Sequence, residues 1–289
     1  MKVAIIGGSG KMGRWFASLL LKDGQEVIIT GRNKKKLLEA RRQLGVEVAS
    51  NVEAVRRADV VLLSVPIDNF EEVVEQLGPY THSGQAIIDI TSIKVFPVDA
   101  MHKHIKTGVV LGAHPMFGPG ARDMAKRSFV LTPTNDEETV VAQKVKGYLE
   151  ARGAGATMMT PYEHDEMMAV VLGLSHFIAI VSADVLMSLG RLKQMEAIGG
   201  STYKVLLTLV GSVVAEDPEF YAALQMSLPG MTEVERLFQR SSKTWADLVK
   251  DKNRLEFVKR MNILKDRLEK EHPNFGKAYE NMYKLVEGL

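Results

Sequence analysis

The stretch Lys2-Val3-Ala4-Ile5-Ile6-Gly7-Gly8-Ser9-Gly10-Lys11-Met12-Gly13 decides the fold. Its four apolar residues, Val3 to Ile6, suit a strand buried on both faces. Gly8-x-Gly10-x-x-Gly13 follows at once, a helical pattern runs from Arg14 to Leu21, and a second strand pattern covers 26–30. A glycine triplet of this kind is weak evidence by itself. Between a strand and a helix it reads as a nucleotide loop. Gly8 is expected to make the tight turn, Gly10 to let the backbone approach a pyrophosphate, and Gly13 to let helix pack on strand. Ser9, Lys11 and Met12 complete the loop, and the helix start offers N–H donors to phosphate. A glycine-rich turn without a nucleotide is the alternative.

Outward from this loop, short β-branched runs alternate with helical patterns as far as residue 160. The expected strands are 2–6, 26–30, 46–49, 60–64, 86–90, 109–112, 129–132 and 157–160. Such alternation predicts an α/β, doubly wound, mostly parallel Rossmann-type sheet with right-handed crossovers. From 161 onward no strand pattern appears. Thr160-Pro161-Tyr162-Glu163 combines a capping box with proline at the first helical position. Residues 1–160 are therefore expected to form a dinucleotide-binding domain, and 161–289 an all-helical domain.

Four strand ends on one sheet edge carry the chemistry. After the second strand comes Thr30-Gly31-Arg32-Asn33-Lys34, with no carboxylate to accept bonds from ribose hydroxyls. Arg32 offers a planar fork suited to a 2′-phosphate, so NADP is expected ahead of NAD; a solvated helix start is the other reading. Ser64-Val65-Pro66 and Thr91-Ser92 end the fourth and fifth strands beside the cofactor. Leu111-Gly112-Ala113-His114-Pro115-Met116-Phe117-Gly118-Pro119-Gly120 follows the sixth. Its prolines and glycines predict an irregular turn that presents the His114 imidazole at the ligand-binding edge. Ser92 is expected to hold that ring, or to cap the helix that follows, or both.

His114-Pro115-Met116-Phe117-Gly118-Pro119 resembles the catalytic-histidine motif of the prephenate dehydrogenase family. The glycine loop, Ser64-Val65-Pro66-Ile67, Ser92-Ile93-Lys94, Glu163-His164-Asp165, Ser175-His176-Phe177, Asp217-Pro218-x-x-Tyr221 and Gln225-Met226 fall in that family's order. The resemblance covers nearly the whole chain and is nearest to forms with a long helical dimerisation domain. It implies oxidative decarboxylation of prephenate to 4-hydroxyphenylpyruvate, with hydride passing to NAD(P)+. His114 would accept the ring-hydroxyl proton, supported by Ser92. Lys94, Ser175, His176 and Lys204 would contact a small anionic cyclohexadienyl substrate. Arogenate or another cyclohexadienyl acid is an alternative substrate. A different two-domain NADP dehydrogenase or reductase, and a non-catalytic NADP sensor, are alternative functions. The sequence departs from the pattern where relatives carry a substrate-binding arginine: Gly230 stands there, leaving Lys204, Arg122, Lys126 and Arg127 as candidate cations. Ala179 replaces a second histidine.

Composition bounds the rest. The 289 residues are 46% hydrophobic and 25% charged, an ordinary globular mix. Absence of cysteine excludes disulfides, thiolate metal sites and a cysteine nucleophile. The formal charge of +2 and the lack of aromatics among the short basic runs argue against nucleic acid. The first residues do not read as a signal peptide, and a cytoplasmic location is expected. Segment 167–190 is long and apolar enough to span a bilayer. His176 and Asp184 within it, and the apolar stretch 205–214 after it, favour helices buried in a core or between subunits of a homodimer, with no membrane. His102 with His104, and His164 with Asp165, are not read as sites: adjacent helix residues should face different ways, and no metal is expected.

Overall fold

The computed structural model describes residues 1–288. The chain forms two compact units, the first ending at Met168 and the second beginning at Ala169.

The first unit is built on one eight-stranded sheet: β1 Lys2–Ile6, β2 Glu26–Ile29, β3 Glu47–Val48, β4 Val60–Leu63, β5 Ala86–Asp89, β6 Val109–Pro115, β7 Ser128–Thr132 and β8 Gly155–Met158. Their order is β3-β2-β1-β4-β5-β6-β7-β8. Strands β1 to β6 run parallel, β7 is antiparallel to β6, and β8 is parallel to β7. All eight expected strands are present, with ends shifted by a few residues. Seven helices accompany them: α1 Lys11–Lys22, α2 Lys34–Leu44, α3 Asn51–Arg57, α4 Phe70–Leu77, α5 Val95–His104, α6 Asp136–Glu150 and α7 Pro161–Met168. Alternate β1 residues feed separate cores, Val3 and Ile5 on one face and Ala4 and Ile6 on the other. That two-sided burial is why the strands read as continuous apolar runs. Strand order reverses between β1 and β4, and the crevice outside that switch point is where such sheets take ligands.

Two local expectations need correction. The tight turn after β1 belongs to Gly7, whose φ is +80°, and not to Gly8. A Cβ on Gly7 would lie 2.1 Å from the Ser64 carbonyl oxygen, so β1 and β4 can close only over a bare α-carbon. The strand before the His114 turn also runs three residues further than 112. Antiparallel β7 supplies the extra pairing, His114 opposite Val130 and Pro115 opposite Phe129. The Met116 N–H reaches the Ser128 carbonyl, so by alternation the position of Pro115's missing N–H faces away from β7. There β5 has already ended, because its last residue, Asp89, pairs with Gly112. His114 is thereby fixed in sheet rather than held in a free loop.

The second unit is helical throughout its described residues: α8 Ser175–Ser188, α9 Leu192–Ile198, α10 Ser201–Val214, α11 Pro218–Ser227, α12 Met231–Lys250, α13 Arg254–Glu271 and α14 Ala278–Glu287. A π-helical stretch, Ala169–Leu174, opens it. Pro161–Ser188 is a continuous helical run long and apolar enough by length and composition to cross a membrane. It is not buried in a core of the single chain: Val170, Val171, Val185 and Met187 are all exposed.

Candidate active site

The nucleotide loop leaves the end of β1 and enters α1, whose N-cap is Gly10. No side chain caps this helix, and no acidic residue stands in its first turn, so the positive end of its dipole suits an anion. A Cβ on Gly13 would lie 2.6 Å from the Gly8 α-carbon, and one on Gly10 would lie 3.2 Å from the Gly7 oxygen. Gly8 itself presses on the Ile29 side chain. Ser9 is buried against Gly31, whereas Lys11 is exposed and Met12 packs toward the core. At the end of β2 the Thr30 hydroxyl is buried without a hydrogen-bond partner. Arg32 extends outward, and its Nη2 donates to the Asn69 side-chain oxygen at 3.0 Å. Bare cradle, uncapped helix start and orphaned hydroxyl fit a dinucleotide. Ser64 and Val65 are partly buried beside Gly7 at the end of β4, Pro66 is exposed, and the Thr91 side chain is tied to the Ile93 carbonyl.

His114 is 5% exposed. It follows Ala113, which belongs to one core face, so it emerges on the opposite face, where α5 packs. Its Nδ1 lies 2.8 Å from His164 Nε2, and His164 Nδ1 lies 2.7 Å from Asp165 Oδ1. The Asp165 carboxylate also accepts the backbone N–H groups of Lys94 (2.7 Å) and Val95 (2.9 Å). It therefore caps α5, which has no local side-chain cap. An acceptor-only carboxylate requires the His164 proton on Nδ1. Neutral His164 then offers a lone pair at Nε2, and His114 must carry its proton on Nδ1. The His114 Nε2, which makes no hydrogen bond among the described residues, is left as a proton acceptor.

The electrostatics keep both rings neutral. Burial, the nearby Lys94 and His164 together hold His114 well below the ordinary histidine value. Burial also lowers His164, against the opposing pull of Asp165. Lys94 is fully buried, its ammonium bonded to the Asp89 carboxylate and to the Ala113 carbonyl oxygen (2.9 Å). Burial pushes the Lys94 amine down and the Asp89 carboxyl up, and their pairing opposes both shifts.

Several sequence expectations change here. Ser92 neither bonds His114 nor caps α5; His164 holds the ring and Asp165 caps the helix. Lys94 cannot receive a substrate carboxylate, because its ammonium is buried on Asp89. His164 and Asp165, expected to face apart on a helix, are both buried and bonded to each other. The Thr160–Glu163 capping box forms as read and fixes where α7 starts. Trp15 was also missed: its indole donates to the Ala121 carbonyl (2.6 Å) and its ring meets Phe117 at 4.9 Å, pinning the loop after His114.

In the second unit, Ser175 is exposed at the start of α8. The His176 ring packs edge-on to Tyr221 at 4.9 Å, with Nδ1 buried and unpartnered, and burial lowers its pKa. Lys204 borders an open cavity of about 390 Å³ with Leu207, Thr208 and Val286. Gly230 has φ +75° with open space around it, a backbone position unsuited to arginine. Arg122, Lys126 and Arg127 are exposed in the first unit.

Residues 16–158 match the family described as prephenate dehydrogenase, nucleotide-binding domain, and residues 160–263 its dimerization domain. The chain belongs to the prephenate dehydrogenase family. It is 35% identical over 265 residues to a probable arogenate/prephenate dehydrogenase of Methanocaldococcus jannaschii, covering 90% of this chain and 59% of that protein. It is 30% identical over 229 residues to the T-protein of Haemophilus influenzae, covering 78% and 56% respectively. The chain thus spans less than two thirds of these curated relatives. The crystal structure of prephenate dehydrogenase from A. aeolicus, in complex with hydroxyphenyl propionate and NAD+, shares the fold. Its TM-score is 0.75 at 21% identity, covering 94% of this chain and 98% of that one. The family's members are oxidoreductases, and the nucleotide-binding match begins at residue 16, just after the glycine cradle.

Proposed function

We propose that this chain carries out NADP-preferring oxidative decarboxylation of prephenate to 4-hydroxyphenylpyruvate. The observation that carries the reading is the neutral, buried His114, aligned by His164 and Asp165 so that Nε2 is an acceptor. Bound at the glycine cradle, the nicotinamide would supply the hydride acceptor, with Arg32 toward a 2′-phosphate. Prephenate's hydroxyl-bearing carbon gives up its hydrogen as hydride while His114 Nε2 takes the hydroxyl proton. Loss of CO2 then leaves its bonding electron pair in the ring, which becomes aromatic. The proton returns from His114 to the phenolic oxygen, so no net proton is released. General-base assistance of this kind is worth about 10²–10⁴-fold.

Prephenate, rather than arogenate, is the substrate we assign. Ser175, His176 and Lys204 are retained as candidate substrate contacts, with Lys204 the cation in place of the arginine lost at Gly230. Ser92 is kept as a candidate contact for the substrate hydroxyl rather than as the support of His114. The boundary at residue 160 is proposed as the division between nucleotide-binding and helical domains. The exposed apolar residues of α8, together with the match to a dimerization domain, support a homodimer formed through the helical unit. A cytoplasmic location is part of the same proposal. The test is the purified chain with prephenate and NADP+. One NADPH and one 4-hydroxyphenylpyruvate should form per CO2, faster than with NAD+. Absence of turnover with prephenate, arogenate and 4-amino-4-deoxyprephenate would overturn the proposal.

A further inference from the structure

Lys94 touches the proton acceptor's support at two places. Its backbone N–H donates to Asp165, which holds His164, which holds His114 Nδ1. Its ammonium donates to the carbonyl oxygen of Ala113, the residue covalently joined to His114. The path from Lys94 N through Asp165, His164, His114 and Ala113 to Lys94 Nζ is therefore a closed loop that begins and ends on one residue. The sequence makes room for it. A Cβ on Gly112 would lie 2.3 Å from the Thr132 hydroxyl, 2.9 Å from a Val98 methyl and 3.1 Å from Lys94 Cδ, so the glycine leaves room where Thr132, Val98 and the lysine stem converge.

We propose that Lys94 is the positioning residue of the proton acceptor, closing the loop that presents His114 as its Nδ1–H tautomer. This rests on the role given to His114 above and adds a specific device to it. A fully buried lysine is costly and needs a partner. Asp89 fills that need, with its other oxygen held by the Thr91 N–H. The titratable groups that face His114 among the described residues are Lys94 from α5, Asp89 from the end of β5, and His164 and Asp165 from α7. Of these, Lys94 disfavours a second proton on the imidazole, so the anchor that orients the ring also keeps it available as a base.

The experiment is nitrogen-15 histidine NMR on the whole chain without substrate. Wild-type His114 should be neutral, with its proton on Nδ1, through pH 6. Removing one partner of a buried pair leaves an orphaned charge, so both are replaced together, as Asp89→Asn/Lys94→Gln and as Asp89→Leu/Lys94→Met. In either double variant the His114 protonation constant should rise about tenfold, one pH unit. The acid limb of the kcat/KM profile should shift equally, with KM for prephenate within about twofold. A folded double variant with His114 titration and tautomer unchanged overturns the proposal. So does a wild-type His114 that carries its proton on Nε2 or titrates at the ordinary value, which needs no variant to fold. If the NMR results appear as expected but the wild type turns over no cyclohexadienyl acid, the functional reading fails and the positioning role stands.

Discussion

Replacing His164 by leucine isolates the link between the relay and the acceptor. The leucine leaves α7 helical and keeps Asp165 on the Lys94 and Val95 N–H groups, but it removes the partner of His114 Nδ1, now 2.8 Å away. His114 is almost wholly buried, so the stranded N–H costs about 1–3 kcal/mol. The ring escapes that cost by moving its proton to Nε2, the atom that must accept. At about 1.4 kcal/mol per factor of ten, the competent tautomer becomes roughly 5- to 150-fold rarer. The turnover number should fall by that factor, while NADP+ affinity, set at the glycine cradle, stays within about twofold. His164→Gln, whose side-chain oxygen can accept the same bond, should recover part of the loss. Stopped-flow turnover with prephenate, beside NADP+ binding followed by fluorescence, measures both quantities. A folded His164→Leu protein with wild-type turnover would refute the reasoning.

Two further outcomes follow from the same physics. His114 and His164 are held neutral below the ordinary histidine value, so between about pH 6.5 and their lowered folded values the unfolded chain binds protons that the folded chain refuses. Stability should therefore be flat above neutrality and fall by about 1–2 kcal/mol from pH 6.5 to 5.5; urea titrations at the two pH values give the number, and a rise on acidification would contradict the burial account. Gly7→Ala should destabilise by more than about 2 kcal/mol, because positive φ and the Ser64 carbonyl at 2.1 Å act together. Gly24→Ala, also at positive φ but with open space around it, should cost only about 1 kcal/mol, and thermal melts of the pair distinguish strain from clash.

The sheet was legible because its strands are buried on both faces and so read as unbroken β-branched runs. The helical second half was legible from its lack of such runs and from the Thr160–Glu163 capping box. The end of β6 was not. Pro115 normally stops a strand, and nothing local reveals that β7 returns antiparallel on the side where the proline's missing N–H does no harm. His164 and Asp165 were set aside on helical periodicity, which describes where side chains leave the helix but not where a carboxylate turns back. Asp165 reaches a helix start 71 residues away in sequence. The sequence carried one hint: no Ser, Thr, Asp or Asn stands at Lys94, the N-cap of α5, so that helix needed a cap from elsewhere. Lys94 reads from the sequence as a substrate contact, because its partner Asp89 looks like an ordinary strand terminus and nothing local ties the two together.

The claim at the centre of the account is that His114 is the base of a hydride transfer. His114→Asn keeps the strand pairing with Val130 and places no charge, so the nucleotide cradle at the end of β1, separated from β6 by β4 and β5, should be untouched. With prephenate and NADP+, the variant should lose turnover by about 10²–10⁴-fold while binding NADP+ within about twofold of the wild type. A variant that binds NADP+ normally and still turns over prephenate at the wild-type rate would contradict the account.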